Sequence, residues 1–153
     1  MGLAIGTAAP DFSLVDQHGA PFVLSDLRGK KSILLAFYPF AFSGVCTGEL
    51  TGFRDNLGDF ETETTTIAAI SCDPIFSIRV MADRDALFFP LLSDFWPHGE
   101  VASAYGVFDE ARGSANRSSY VVDRNGLITF ALHNEPGDAR DLELQAAALA
   151  ATR

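Results

Sequence analysis

Cysteine is nearly absent from this 153-residue chain, which has two, Cys46 and Cys72. Two thiols cannot make the disulfide framework of a small secreted domain, so the default compartment is a reducing cytoplasm. Histidine is sparse as well. His18, His98 and His133 share no short ligand spacing, so no metal or other cofactor is expected. Basic residues are few, 11 Lys and Arg against 20 Asp and Glu, for a net charge of −9. That balance argues against a duplex nucleic-acid binder, which needs a basic footprint, and against docking on an anionic membrane. The longest apolar run, Ile33 to Phe42, is interrupted by Pro39 and reaches only about half a membrane span. The opening Met1-Gly2-Leu3-Ala4-Ile5-Gly6 has neither the basic start nor the apolar core of a secretory signal. Repeats, linkers and low-complexity stretches are missing too, so one domain over residues 1–153 is expected.

What is present is the material of an ordinary core: 48% hydrophobic residues, 13 of the 153 being phenylalanine. A chain of this size buries enough surface to fold without a disulfide or metal. Phe12–Val15 and Phe22–Leu24, separated by Asp16-Gln17-His18-Gly19, predict a hairpin. Ile33–Tyr38 and Thr65–Ser71 are continuous apolar or β-branched runs, the pattern of strands buried on both faces. Between them Cys46, Leu50, Phe53, Leu57 and Phe60 recur at helical spacing. A second helix follows Pro74, Phe89–Leu92 reads as a short strand, and Val101–Tyr105 as a short helix. Ser118–Asp123 and Leu127–Leu132 flank an Asn125-Gly126 turn and predict another hairpin. An alanine-rich helix from Asp138, as N-cap, to about Ala151 ends the chain. The fold class this order implies is α/β: a thioredoxin-like fold with a mixed central sheet flanked by helices and an N-terminal β-hairpin extension.

Cys46 falls where a buried strand gives way to a helix. With Ser43 as N-cap, Cys46 is the third helical residue, among unpaired backbone N–H groups. Those groups and the helix dipole favour the thiolate, the nucleophilic form, of which an ordinary thiol holds only a few per cent at pH 7. Position alone leaves a second reading open, in which Cys46 is merely the first buried residue of the Leu50 stripe.

The neighbouring residues point to chemistry. Pro39, Ser43 and Cys46 are spaced Pro-x-x-x-Ser-x-x-Cys, Glu49 follows, and Asn116-Arg117-Ser118-Ser119-Tyr120 supplies an arginine before a later strand. These segments resemble the active site of the peroxiredoxins. Gly6–Phe12, Pro90–Asp94 and Ala104–Val107 extend the resemblance over nearly the whole chain. Within the family, Phe40-Ala41-Phe42 and Asp94–Gly99 look most similar to the one-cysteine, alkyl hydroperoxide reductase E type.

The resemblance implies a thiol-dependent peroxidase acting on hydrogen peroxide and organic hydroperoxides through a Cys46 sulfenic acid. Arg117 would steady charge on sulfur and on the leaving oxygen, because guanidinium is always charged and offers fixed donors. Ser43 would hydrogen-bond the peroxide and thiolate while capping the helix. Pro39 would shape the loop and shield sulfur from water, and Glu49 would hold an arginine in place. Phe40, Phe42 and Trp96 would suit an organic substrate. Cys72 matches none of the family's resolving positions and reads as buried packing. The cycle would then need an external low-molecular-weight thiol or redoxin, and a homodimer is expected. Gly44, Gly48 and Gly52 lie four apart on the Cys46 helix. They would let its first turns unwind toward a reductant, or else pack it closely on the sheet.

Other thiol chemistries fit less well. A disulfide oxidoreductase needs Cys-x-x-Cys, and Glu49 stands at the second position. A cysteine phosphatase needs arginine six residues on, and Gly52 is there. A Cys–His acyl-transfer enzyme stays open on spacing alone, though no histidine lies in a recognisable motif. The alternative outside enzymology is a thioredoxin-fold redox sensor or chaperone using Cys46 as a switch.

Overall fold

A computed structural model describes residues 2–153; Met1, the first residue of the opening segment, lies outside the described residues. Among the described residues seven strands form one sheet in the order β2-β1-β5-β4-β3-β8-β9. At its centre is β3 (Ser32–Phe37), buried along its full length and paired in parallel with β4 (Thr65–Ser71). β5 (Leu91–Ser93) extends the parallel part beyond β4. On the other side β8 (Arg117–Val122) runs antiparallel to β3 and forms the second hairpin with β9 (Ile128–Asn134). The N-terminal hairpin, β1 (Ser13–Val15) and β2 (Pro21–Val23), joins the sheet through the Val15–Ser93 pairing. The extension is thus an edge of the main sheet. A small two-stranded ribbon, β6 (Phe108–Asp109) with β7 (Ser114–Ala115), has no signal strong enough to be read from sequence.

Alternation along the central strands sends successive side chains to opposite faces. Leu34, Ala36 and Tyr38, with Ile67, Ala69 and Val121, meet α1 (Gly44–Asp55), α2 (Ile75–Asp85) and α4 (Leu142–Ala150). Ile33, Leu35 and Phe37, with Ala68, Ile70 and Tyr120, meet α3 (Glu100–Ala104) and the N-terminal segment. The stripe beginning at Cys46 is broken after Asp55. Asn56 caps α1, donating its side-chain amide to Gly52 O at 2.9 Å, and a 3-10 turn at Leu57–Asp59 brings Phe60 against Phe53.

The terminal helix begins later than expected. Its N-cap is Asp141, whose carboxylate accepts from Leu144 N at 3.0 Å, and Asp138 lies in the preceding loop. The reason is tertiary: the Arg140 N–H donates to Glu49 of α1 at 2.8 Å, which holds residues 138–140 out of helical conformation. Among the described residues no helix is long and apolar enough to cross a membrane.

Candidate active site

The site is assembled at the C-terminal end of β3, where Pro39 ends the strand and is itself buried. The loop that follows is tied to the next strand end by Ala41 N donating to Asp73 Oδ2 at 2.8 Å. Phe42, immediately before the N-cap, is held at φ 70, a left-handed conformation that costs a non-glycine residue about 1 kcal/mol or more. Arg84 lies over its ring at 5.0 Å and also donates to Thr47 Oγ1 at 3.3 Å, pinning the loop to α1. Ser43 is the N-cap of α1, its hydroxyl accepting from Cys46 N at 3.3 Å. Cys46 is therefore the third helical residue, fully buried, with its side chain on the α1–α2–α4 face of the sheet.

Arg117 reaches Cys46 from β8. Its Nη2 lies 3.3 Å from Cys46 Sγ, and the same nitrogen donates to Pro136 O at 2.8 Å. Nη1 is ion-paired with Glu49 Oε1 and Nε donates to Pro136 O at 3.1 Å. With three anchors besides sulfur, the guanidinium has no freedom to swing away. It places a fixed positive charge and an N–H donor against the sulfur, an arrangement that stabilises negative charge developing there.

Glu49, one turn after Cys46, holds two arginines. Besides Arg117, Arg140 forms a fork on it, Nε to Oε2 and Nη2 to Oε1, both at 2.9 Å. Burial alone would raise the Glu49 carboxyl, but the hydrogen bonds and charge of Arg140, reinforced by Arg117, hold it below the usual carboxylate range. Arg140 Nη1 meanwhile donates to Phe37 O and Ser118 O at 2.8 Å, knitting the ends of β3 and β8 to the same carboxylate. Sequence reasoning missed Arg140. It lies in a polar loop-like stretch, and a buried arginine there has no local signal.

Cys72 lies just after β4 and belongs to the opposite core cluster, so the sheet separates it from Cys46. Burial, with the neighbouring Asp94 carboxylate, pushes its thiol up to about 12. Trp96 is also away from the site. It lines a separate cavity of about 370 Å³ with Phe12, Leu14 and Tyr105, whereas Phe40 and Phe42 stay half-exposed on the loop before Ser43. The three glycines do not pack α1 on the sheet. A methyl at Gly44, Gly48 or Gly52 would meet nothing within 4 Å, and the three line an apolar groove of about 380 Å³ facing α4. His133 is hydrogen-bonded to Ser118 at 2.8 Å and His98 to the carbonyls of Phe95 and Gly113.

A mixed sheet of thioredoxin-like type with a thiol and a guanidinium meeting above its central strand is the design of a peroxiredoxin. The AhpC/TSA family model matches residues 5–131, and the chain belongs to that family. It is 49% identical over 149 residues to alkyl hydroperoxide reductase E of Mycobacterium tuberculosis, with 97% of each chain covered. Among solved structures it is similar to peroxidoxin BcpB of M. tuberculosis, at TM-score 0.86, 30% identity and 99% coverage of both chains. AhpC of Enterococcus faecalis superposes at TM-score 0.87 and 29% identity over 99% of this chain and 92% of its own. The protein is accordingly a thiol-dependent peroxidase.

Proposed function

We propose that Cys46 is the reacting sulfur of a one-cysteine cycle that reduces hydrogen peroxide and organic hydroperoxides. The observation that carries this reading is the Arg117 Nη2 contact with Cys46 Sγ at 3.3 Å. The Cys46 thiolate attacks one peroxide oxygen, the O–O bond breaks, and the other oxygen leaves as water or alcohol after taking a proton. Cys46 becomes a sulfenic acid. Arg117 steadies charge on sulfur and on the departing oxygen, Ser43 fixes the helix start and offers its hydroxyl to the peroxide, and Pro39 keeps the loop compact. Glu49 and Arg140 act as positioning residues, since each reaches the sulfur only through Arg117. The relative from M. tuberculosis is an alkyl hydroperoxide reductase by name, and the rings of Phe40 and Phe42 would suit an alkyl group entering over the loop.

Resetting requires a thiol from outside the chain, a small thiol or a redoxin. Cys72 lies across the sheet and resists ionisation, which supports a cycle without an internal disulfide. We place this activity in the cytoplasm, in one domain over residues 1–153. A homodimer is in keeping with the large apolar side chains left exposed, Phe76, Phe88 and Trp96 each being more than four-fifths exposed. The test is peroxide consumption with a thiol reductant by Cys46→Ser, which should lose all turnover above background. Undiminished turnover, or an intramolecular Cys46–Cys72 disulfide after one equivalent of peroxide, would overturn the scheme.

A further inference from the structure

The reduced site leaves one buried donor unused. Tyr38, the residue after β3, continues the strand's alternation onto the Cys46 face and is packed in the same cluster at zero exposure. Its position is fixed by the sheet, since its N–H donates to Ile70 O at 2.9 Å. Its hydroxyl nevertheless has no hydrogen-bond partner among the described residues. A buried phenol usually finds one, because an unpaired buried donor is costly.

The surroundings of that hydroxyl narrow what it is for. The groups that act on it are Ser71 at the end of β4, Asp73 in the turn beyond, and Cys46. The Ser71 hydroxyl lies close enough to favour ionisation of the phenol, yet the phenol oxygen meets no partner in hydrogen-bond geometry. Ser71 Oγ instead accepts from Asp73 N at 3.4 Å, and Asp73 Oδ2 accepts from Ala41 N. Burial, aided by negative charge at Asp73 and Cys46, raises the phenol above its ordinary range. It therefore stays a donor throughout the working pH range. The reduced sulfur already has Arg117 as its donor. What the reduced site lacks is the oxygen that Cys46 gains on reaction.

We propose that the Tyr38 hydroxyl is the hydrogen-bond donor to the oxygen of the Cys46 sulfenate, so that it binds the oxidised sulfur and leaves the thiolate to Arg117. This rests on Cys46 being the peroxidatic residue. In that step the thiolate sulfur gives two electrons to the hydroperoxide, an S–O bond forms as O–O breaks, and the departing oxygen takes one proton from solvent to leave as alcohol or water while the hydroperoxide's own proton stays on the new S–OH. The resulting sulfenic acid loses its own proton to solvent, and the S–O⁻ oxygen accepts from Tyr38.

Tyr38→Phe removes only the hydroxyl and, because that group is unpartnered, should fold with a urea midpoint no lower than the parent's. Both proteins are treated with one equivalent of hydrogen peroxide, and mass spectrometry verifies the gain of one oxygen on Cys46. The pH dependence of further oxidation to the sulfinic acid by excess peroxide then gives the sulfenic acid ionisation. In Tyr38→Phe that inflection should move up by about 1 pH unit, tenfold in ionisation constant, as expected on losing a hydrogen bond to an anion. Tyr38 replaced by 3-fluorotyrosine, a more acidic donor, should move the inflection the other way. An inflection unmoved in both variants, or a lowered urea midpoint in Tyr38→Phe, overturns the proposal while leaving the Cys46 assignment intact. Failure of the parent to gain oxygen on Cys46 overturns both.

Discussion

Replacing Arg140 with methionine, which keeps much of the stem and removes the guanidinium, should destabilise the protein severely without silencing its chemistry. The guanidinium has no exposed atoms to speak of, with a side chain only 1% accessible, and all three of its nitrogens are engaged. Its loss leaves Glu49, 4% accessible, with Arg117 as its one remaining guanidinium. It also strips a donor from Phe37 O and from Ser118 O. Removing one partner of a buried ion pair costs about 3–5 kcal/mol. Each orphaned buried acceptor costs about 1–3 kcal/mol, though these overlap because the groups form one network. A loss near 4 kcal/mol, at a urea slope of about 2 kcal/mol per molar, lowers the unfolding midpoint by about 2 M. Arg117, by contrast, keeps its Pro136 carbonyl and its place on Cys46. The stopped-flow rate of the first peroxide oxidation should therefore fall by less than about tenfold in Arg140→Met, against about 100-fold or more in Arg117→Met, where the charge-stabilising donor itself is gone. A urea midpoint lowered by less than about 0.5 M would refute the network as a stabilising unit. Equal rate losses in the two variants would refute the division of roles between the arginines.

Three further outcomes follow from the same geometry. Glu49 is held below the ordinary carboxylate range in the folded chain. Its stabilising contribution is therefore complete at neutral pH and is lost as pH falls through and below that range, so Glu49→Gln should flatten the drop in urea midpoint between about pH 5 and pH 3. Cys72, with its thiol pushed up to about 12, should stay unmodified by iodoacetamide at pH 8 until the chain unfolds. Peptide mapping that finds it alkylated faster than global unfolding would contradict its burial. Gly48→Ala should stabilise the protein by up to about 1 kcal/mol, since the added methyl meets nothing and alanine is the better helix former. If the first turns of α1 open for reduction, the same substitution slows reduction of the sulfenic acid more than peroxide attack. The reverse order of rates would exclude that opening.

Elements whose signal is carried by near neighbours are legible in the amino-acid order itself. Thr65–Ser71 reads as a buried strand and is one over those residues, because its β-branched and apolar run needs no distant partner to be recognised. Ser43 as cap and Cys46 as third helical residue follow from a side chain reaching a backbone N–H three positions on, a distance set by helix geometry itself. The pairing of Arg117 with Cys46 is implied by a family resemblance, since nothing in the spacing of residues 71 apart fixes their approach.

Where two residues satisfy the same local rule, the sequence cannot choose between them. Asp138 and Asp141 are both acceptable N-caps; the choice falls to Asp141 because Glu49, 91 residues away from Arg140, claims the Arg140 N–H. Likewise the glycine stripe allows either close packing or open space, and only the path of α4 leaves a groove in front of it. The two cysteines differ in the same way. Sequence alone determined that the chain has one thiol at a helix start and one at a strand end. The sheet decided that they face opposite cores, because side-chain direction at the end of β4 depends on where its alternation meets the helices of each face.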